Sequence, residues 1–120
     1  MKTSSCKAKG RALQKEVAAA LLIVGAPYGL VADDIKSTAM GQSGVDVQLS
    51  PAAKKVFSDL AIECKRVEAL NVVTTFEQHQ AKYKDRRALL VHRRTRSKTL
   101  ATVEFDFFLE LLRTRVAKGQ

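Results

Sequence analysis

The sequence predicts a mixed α/β domain, a β-sheet flanked by helices, on the strength of three observations. Residues 11–24 and 71–85 carry apolar side chains at three- and four-residue spacing, the period of a helix with one buried face. Short runs at 45–49, 60–66, 88–92 and 99–105 alternate polar with apolar or are simply apolar, as strands do. The resulting order is helix, two or three strands, helix, two strands, helix, and its mid-chain strand–helix–strand step points to a mixed sheet with helices packed on it. The chain has 120 residues, 46% of them hydrophobic, with no Trp and 6% aromatic, which suits one domain with a modest, mostly aliphatic core.

Residues 1–9 (MKTSSCKAK) are polar and basic without an apolar period, and are expected as a flexible tail ahead of a single domain spanning 10–120. From Arg11 to Val24, the residues Leu13, Val17, Ala20, Leu21 and Val24 share a face opposite Arg11 and Lys15, with Glu16 on its border. Gly25 and Pro27 end this helix. Residues 29–36 are expected as a short edge strand, and 37–44 (STAMGQSG) as a loop of small polar residues. Val45–Leu49 alternates, with Asp46 and Gln48 on one side and Val47 and Leu49 on the other. Ser50-Pro51 opens a connection with a helical turn through 52–56, and 60–66 follows as a strand antiparallel to 45–49. In the helix 71–85, Val72, Val73, Phe76, Gln80 and Tyr83 share one side and Thr74, Gln78 and Lys82 the other. The strands 88–92 and 99–105 flank an arginine-rich turn. Asp106 is placed to N-cap a last helix from Phe107 to Val116, with Phe107, Phe108, Leu111 and Leu112 as its core stripe.

Charge narrows the function. Lys and Arg number 21 against 12 Asp and Glu, a net charge of +9, and a small domain this basic is suited to a polyanion such as nucleic acid. Cys6 and Cys64 form no disulfide framework, and no Cys and His residues have zinc-ligand spacing. A reducing cytoplasm is the expected location. The uncharged run 17–32 follows a basic segment as a signal peptide would, but the basic segment is long, Glu16 sits at its apolar border, and Gly25, Pro27 and Gly29 interrupt it. It is also too short and broken for a membrane span.

The residues that carry chemistry are Asp46 and the run Glu63-Cys64-Lys65. Side chains alternate along a strand, so Leu60, Ile62 and Cys64 face one way and Ala61, Glu63 and Lys65 the other. Two carboxylates and an amine at one sheet edge can hold a divalent cation beside a phosphate. The plainer reading of Glu63 and Lys65 is a charge pair on a solvated face, which would contribute little to stability.

An N-terminal helix carrying Glu16, Asp46 in the following hairpin and Glu63-Cys64-Lys65 on its second strand together resemble the PD-(D/E)XK nuclease superfamily. Val45 stands where that motif often has proline. The stretch from Ser37 to Lys65, Phe76-Glu77-Gln78 and Leu90-Val91-His92-Arg93-Arg94 resemble small phage and prophage Holliday-junction-resolvase-like endonucleases, over roughly residues 10–113. The resemblance implies a restriction-endonuclease-like mixed β-sheet flanked by helices. It implies Mg²⁺, replaceable by Mn²⁺, held by Asp46, Glu63 and the Cys64 carbonyl, with Glu16 as a direct or water-mediated ligand. Lys65 would stabilise the developing phosphorane or orient the attacking water.

Phosphate contacts are expected from Arg86, Arg87, Arg93, Arg94 and Arg96 at the ends of one hairpin, with Lys98 in its turn and Lys82 and Lys84 just before it. Ser37, Thr38 and Ser43 offer hydroxyl donors near the metal. Gln78 is open between a place at the site and plain exposure. His92 is read as a phosphate contact or an exposed residue rather than a general base, and His79 as a helix-surface residue. The resulting expectation is a Mg²⁺-dependent, structure-selective endodeoxyribonuclease acting on branched DNA, working as a homodimer because resolvases cut two opposed strands. A nuclease for single strands, flaps or ends, and a basic nucleic-acid-binding module without catalysis, are the alternatives.

Overall fold

The computed structural model of the chain describes residues 2–39, 42 and 44–118. Helix α1 runs from Lys2 to Gly25, so the stretch 2–9 expected as a flexible tail is helical. It contains no glycine or proline, and nothing in it stops the helix from continuing backwards. The helix ends at Gly25, where the chain folds back so closely that a Cβ would meet Leu30 Cδ1 at 2.5 Å. A 3₁₀ turn at Ala26–Tyr28 closes on Gly29 at φ +90°, a left-handed conformation that glycine adopts without strain.

After a second 3₁₀ turn at Ala32–Asp34, the edge strand expected over 29–36 is shortened to β1 (Ile35–Ser37). Then follow β2 (Val47–Leu49), α2 (Pro51–Phe57), β3 (Leu60–Lys65), α3 (Val72–Lys82), β4 (Arg87–His92), β5 (Leu100–Thr102) and α4 (Phe105–Lys118). Ser50 starts α2 by accepting from the Ala53 N–H at 3.1 Å and donating to Asp34 at 2.7 Å. Asn71 caps α3 by accepting from the Thr74 N–H.

The five strands lie in the order β1-β2-β3-β4-β5. Only β3 and β4 are parallel, joined through α3; the other neighbours are antiparallel. The fold class is therefore mixed α/β, with a mixed sheet between helices. Leu13 on α1 is fully buried with Ile35, Val47, Ile62, Cys64 and Val91, and Phe76 on α3 packs on Ala88 and Leu90. Neighbouring strand residues face opposite ways, so α1 and α3 cover opposite faces of the sheet. No described helix is long and apolar enough to cross a membrane.

Several faces differ from expectation. On α1, Ala20 and Val24 are exposed while Ala18 and Leu22 pack on the core beside Leu13, Val17 and Leu21, because the face that meets the sheet is turned by roughly a quarter turn from the expected stripe. On α3, Val73 is exposed and His79 is buried, following Phe76 at three-residue spacing. Asp106 lies inside the first turn of α4 rather than capping it, since the Phe108 N–H donates to Glu104; a carboxylate there suits the helix dipole. Of the α4 stripe, only Phe107 is buried. Leu13→Ala is expected to destabilise the fold by about 3 kcal/mol, read as a lowered urea midpoint. A loss under about 1 kcal/mol would mean that α1 is not anchored through Leu13.

Candidate active site

The site forms where β2 stops short of β3. The Asp46 N–H donates to the Ile62 carbonyl at 2.9 Å and the Asp46 carbonyl accepts from Thr38 at 2.8 Å, which fixes the residue at the mouth of β2. Its side chain then takes over the pairing: Oδ2 accepts from the Cys64 N–H at 2.7 Å. Odd-numbered residues of β3 bond towards β4, as the Arg93 N–H to Lys65 carbonyl contact shows. Cys64 therefore turns both its N–H and its carbonyl to the Asp46 side. The Cys64 thiol is buried in the core beneath α1.

Glu63 lies near enough for its charge to bear on Asp46, and its Oε2 is 3.5 Å from Lys65 Nζ. Burial pushes the Asp46 carboxyl above its ordinary range, the Cys64 N–H opposes this, the charge of Glu63 raises it further and Lys65 lowers it. Burial, then the charges of Asp46 and Glu63, push the Cys64 thiol up to about 12. Two carboxylates crowded together with a main-chain carbonyl are a set of hard oxygen ligands, which fits Mg²⁺.

The remaining expected residues separate into groups. Gln78 and Lys82, both exposed, line a cavity of about 400 Å³ with Glu63, Lys65, Thr75 and His79. Thr38 lines a second cavity, of about 460 Å³, with Asp46, but its hydroxyl donates to the Val45 carbonyl and so serves the loop. Ser37 is half-buried at the end of β1, and Ser43 lies outside the described residues.

Glu16 is exposed and its carboxylate binds Arg93 at 3.1 Å. It is not among the charges that bear on Asp46, and among the described residues no group of three or more His, Cys, Asp or Glu is placed to hold a metal. In this structure Glu16 therefore holds an arginine, Arg93, rather than reaching Asp46.

The arginines divide along β4. Arg86 binds Asp59 at 2.9 Å and the Leu60 carbonyl at 2.7 Å, and Arg87 binds Glu110 at 2.8 Å and stacks on Phe107. Both serve the fold at the start of the strand. Arg93, Arg94 and Arg96 follow its end, which parallel pairing sets beside Lys65. Arg93, Arg94 and Lys98 line a groove of about 660 Å³. His92 is half-buried, with Nε2 3.0 Å from the Thr102 hydroxyl, and burial lowers its pKa. His79 Nε2 lies 2.6 Å from the Ala61 carbonyl, tying α3 to β3; it is not the surface residue expected.

Lys7, Arg11 and Gln14 line the Asp46 cavity and were not anticipated. Their four- and three-residue spacing marks one helix face, a signal hidden by starting the helix only at Arg11. No family model, curated protein or solved structure matches the chain.

The raised Asp46 pKa has a sign. The folded chain holds this proton more tightly than the unfolded chain, so the group favours folding at acid pH. That contribution is lost as pH rises through the raised value, and at neutral pH the charge weighs against the fold. Asp46→Asn should therefore raise the thermal midpoint by a few degrees at about pH 7 and have little effect near pH 4. An unchanged or lowered midpoint at neutral pH would show that the carboxylate is not under strain.

Proposed function

We propose that this chain is a metal-dependent endodeoxyribonuclease of the PD-(D/E)XK type acting on branched DNA. The observation that carries the reading is the Asp46 carboxylate bound to the Cys64 N–H beside Glu63, with Lys65 3.5 Å from Glu63 at the same sheet edge. The strand order, with an antiparallel β1-β2-β3 meander and a parallel β4 reached through α3, supports a restriction-endonuclease-like fold. A solvated surface pair would not draw a third charge, Asp46, out of water beside it.

Asp46, Glu63 and the Cys64 carbonyl would hold Mg²⁺ or Mn²⁺, which when bound supplies charge neutralisation at the phosphate and a water acidic enough to attack at neutral pH. The chain's own residues do the rest. Lys65 places its ammonium where negative charge grows on the phosphoryl oxygens. Gln78 and Lys82 line the approach to Glu63, and Arg93, Arg94 and Arg96 neutralise flanking phosphates without reading sequence. Paired cuts in a junction call for two copies of the site, hence a homodimer. Cytoplasmic DNA is the natural substrate of a basic chain with free thiols.

The deciding experiment is cleavage of end-labelled four-way junction, duplex and single-stranded DNA with Mg²⁺ or EDTA. Mg²⁺-dependent paired cuts in the junction, abolished by Asp46→Asn and slowed about a hundredfold or more by Lys65→Ala, are expected. Cuts confined to single strands or ends would keep the centre and change the substrate. Binding without cleavage of any substrate would leave a non-catalytic nucleic-acid-binding module.

Replacing Arg93, Arg94 and Arg96 by Ala should weaken binding to all three DNAs. It should also reduce the slope of log affinity against log salt by about one for each phosphate that the variant no longer neutralises. An undiminished slope would place the DNA on another surface.

A further inference from the structure

We propose that the outward face of α4 pairs with the same face of a second copy of this chain, the two helices antiparallel. At about 100° per residue, Phe107, Glu110 and Lys118 fall on one side of α4. That side faces the body: Phe107 is buried, Glu110 binds Arg87, and Lys118 lies over the Tyr28 ring. Phe105, Phe108, Leu109, Leu112 and Val116 fall on the opposite side. Phe105 is 71% exposed and Val116 60%, and a hollow of about 370 Å³ runs along Leu109, Leu112 and Val116. These apolar positions repeat at three and four residues, the spacing at which one helix packs into another, and they are turned away from the chain's own core.

The charges beside the stripe say what covers it. On one flank stand Asp106 and Arg113, and on the other Glu104 and Arg115, acidic at the start of the helix and basic towards its end. In an antiparallel pair, like flanks meet. Asp106 then faces the partner's Arg113, and Glu104 the partner's Arg115. Both pairs centre on one point, midway between Leu109 and Glu110, so a single two-fold axis satisfies them together with the apolar stripe. A surface that complements itself about an axis is what a two-fold dimer requires. A parallel pair would set acid on acid and base on base. The pairing goes beyond the nuclease reading and stands whether or not the carboxylates cut DNA.

The test is the molar mass of the full chain by sedimentation equilibrium, without DNA or metal, over a range of concentrations. Wild type should approach twice 13.2 kDa as concentration rises. Leu112→Asp should remain a monomer, with circular dichroism checking its fold. Asp106→Arg and Arg113→Asp should each raise the dimer dissociation constant roughly tenfold, a size typical of a close interfacial charge pair, and the double variant should return it towards wild type. A wild type that stays monomeric at its highest soluble concentration would overturn the pairing. Failure of the double variant to recover would overturn its antiparallel register. Because no DNA is present, neither failure depends on the outcome of the cleavage assay.

Discussion

The hydrogen bond from the Cys64 N–H to the Asp46 carboxylate is the contact on which the proposed centre depends. It occupies the place of the next rung in the β2–β3 ladder, which ends where Val47 meets Ile62. Because a side chain supplies the acceptor, β3 continues past β2 without leaving its N–H unpaired, and a carboxylate is drawn in beside Glu63. Sheet geometry, rather than mutual attraction, brings the two acids together. Their repulsion is carried by the fold and eased in part by the Cys64 N–H and the Lys65 ammonium. A centre built this way resists folding at neutral pH to a small extent, which is common where function competes with stability.

Parallel pairing of β3 with β4 has the second large effect. In the register Glu63 to Leu90 and Lys65 to His92, everything that follows β4 emerges next to Lys65. The Arg93–Lys98 turn thus stands at the Lys65 end of the sheet, while Arg86 and Arg87 are held a strand's length away on Asp59 and Glu110. Basic residues that form one patch in the sequence serve two purposes in the fold. Glu16 belongs with the first group, since it steadies Arg93 from α1.

Much of this was legible in the residues. Alternation along 60–65 correctly placed Glu63 and Lys65 on one face with Cys64 inward, and turn residues bounded most elements to within a few positions. What alternation could not tell was that Ala61, on the Glu63 face, is fully buried, because the covering helix α3 is a tertiary fact. His79 escaped for the same reason: a polar residue at three-residue spacing from Phe76 belongs to the buried stripe if a carbonyl awaits it, and the Ala61 carbonyl does. Charge alone likewise could not sort the arginines, since the partners of Arg86, Arg87 and Arg93 lie 23 to 77 residues away. The α4 stripe was read as core because an apolar face looks the same whether it meets its own sheet or lies open.

The two thiols have opposite chemical fates. Burial and the nearby acids push the Cys64 thiol up to about 12, away from ionisation at neutral pH, and the thiolate is the reactive form. Cys64 also lies buried in the core beneath α1. Cys6, exposed on the first helix, has no such protection. The folded chain therefore behaves towards maleimides and mild oxidants as a single-cysteine protein. A fluorophore introduced without mutagenesis would attach to one known point, on the helix whose next turns carry Lys7, Arg11 and Gln14 along the wall of the Asp46 cavity.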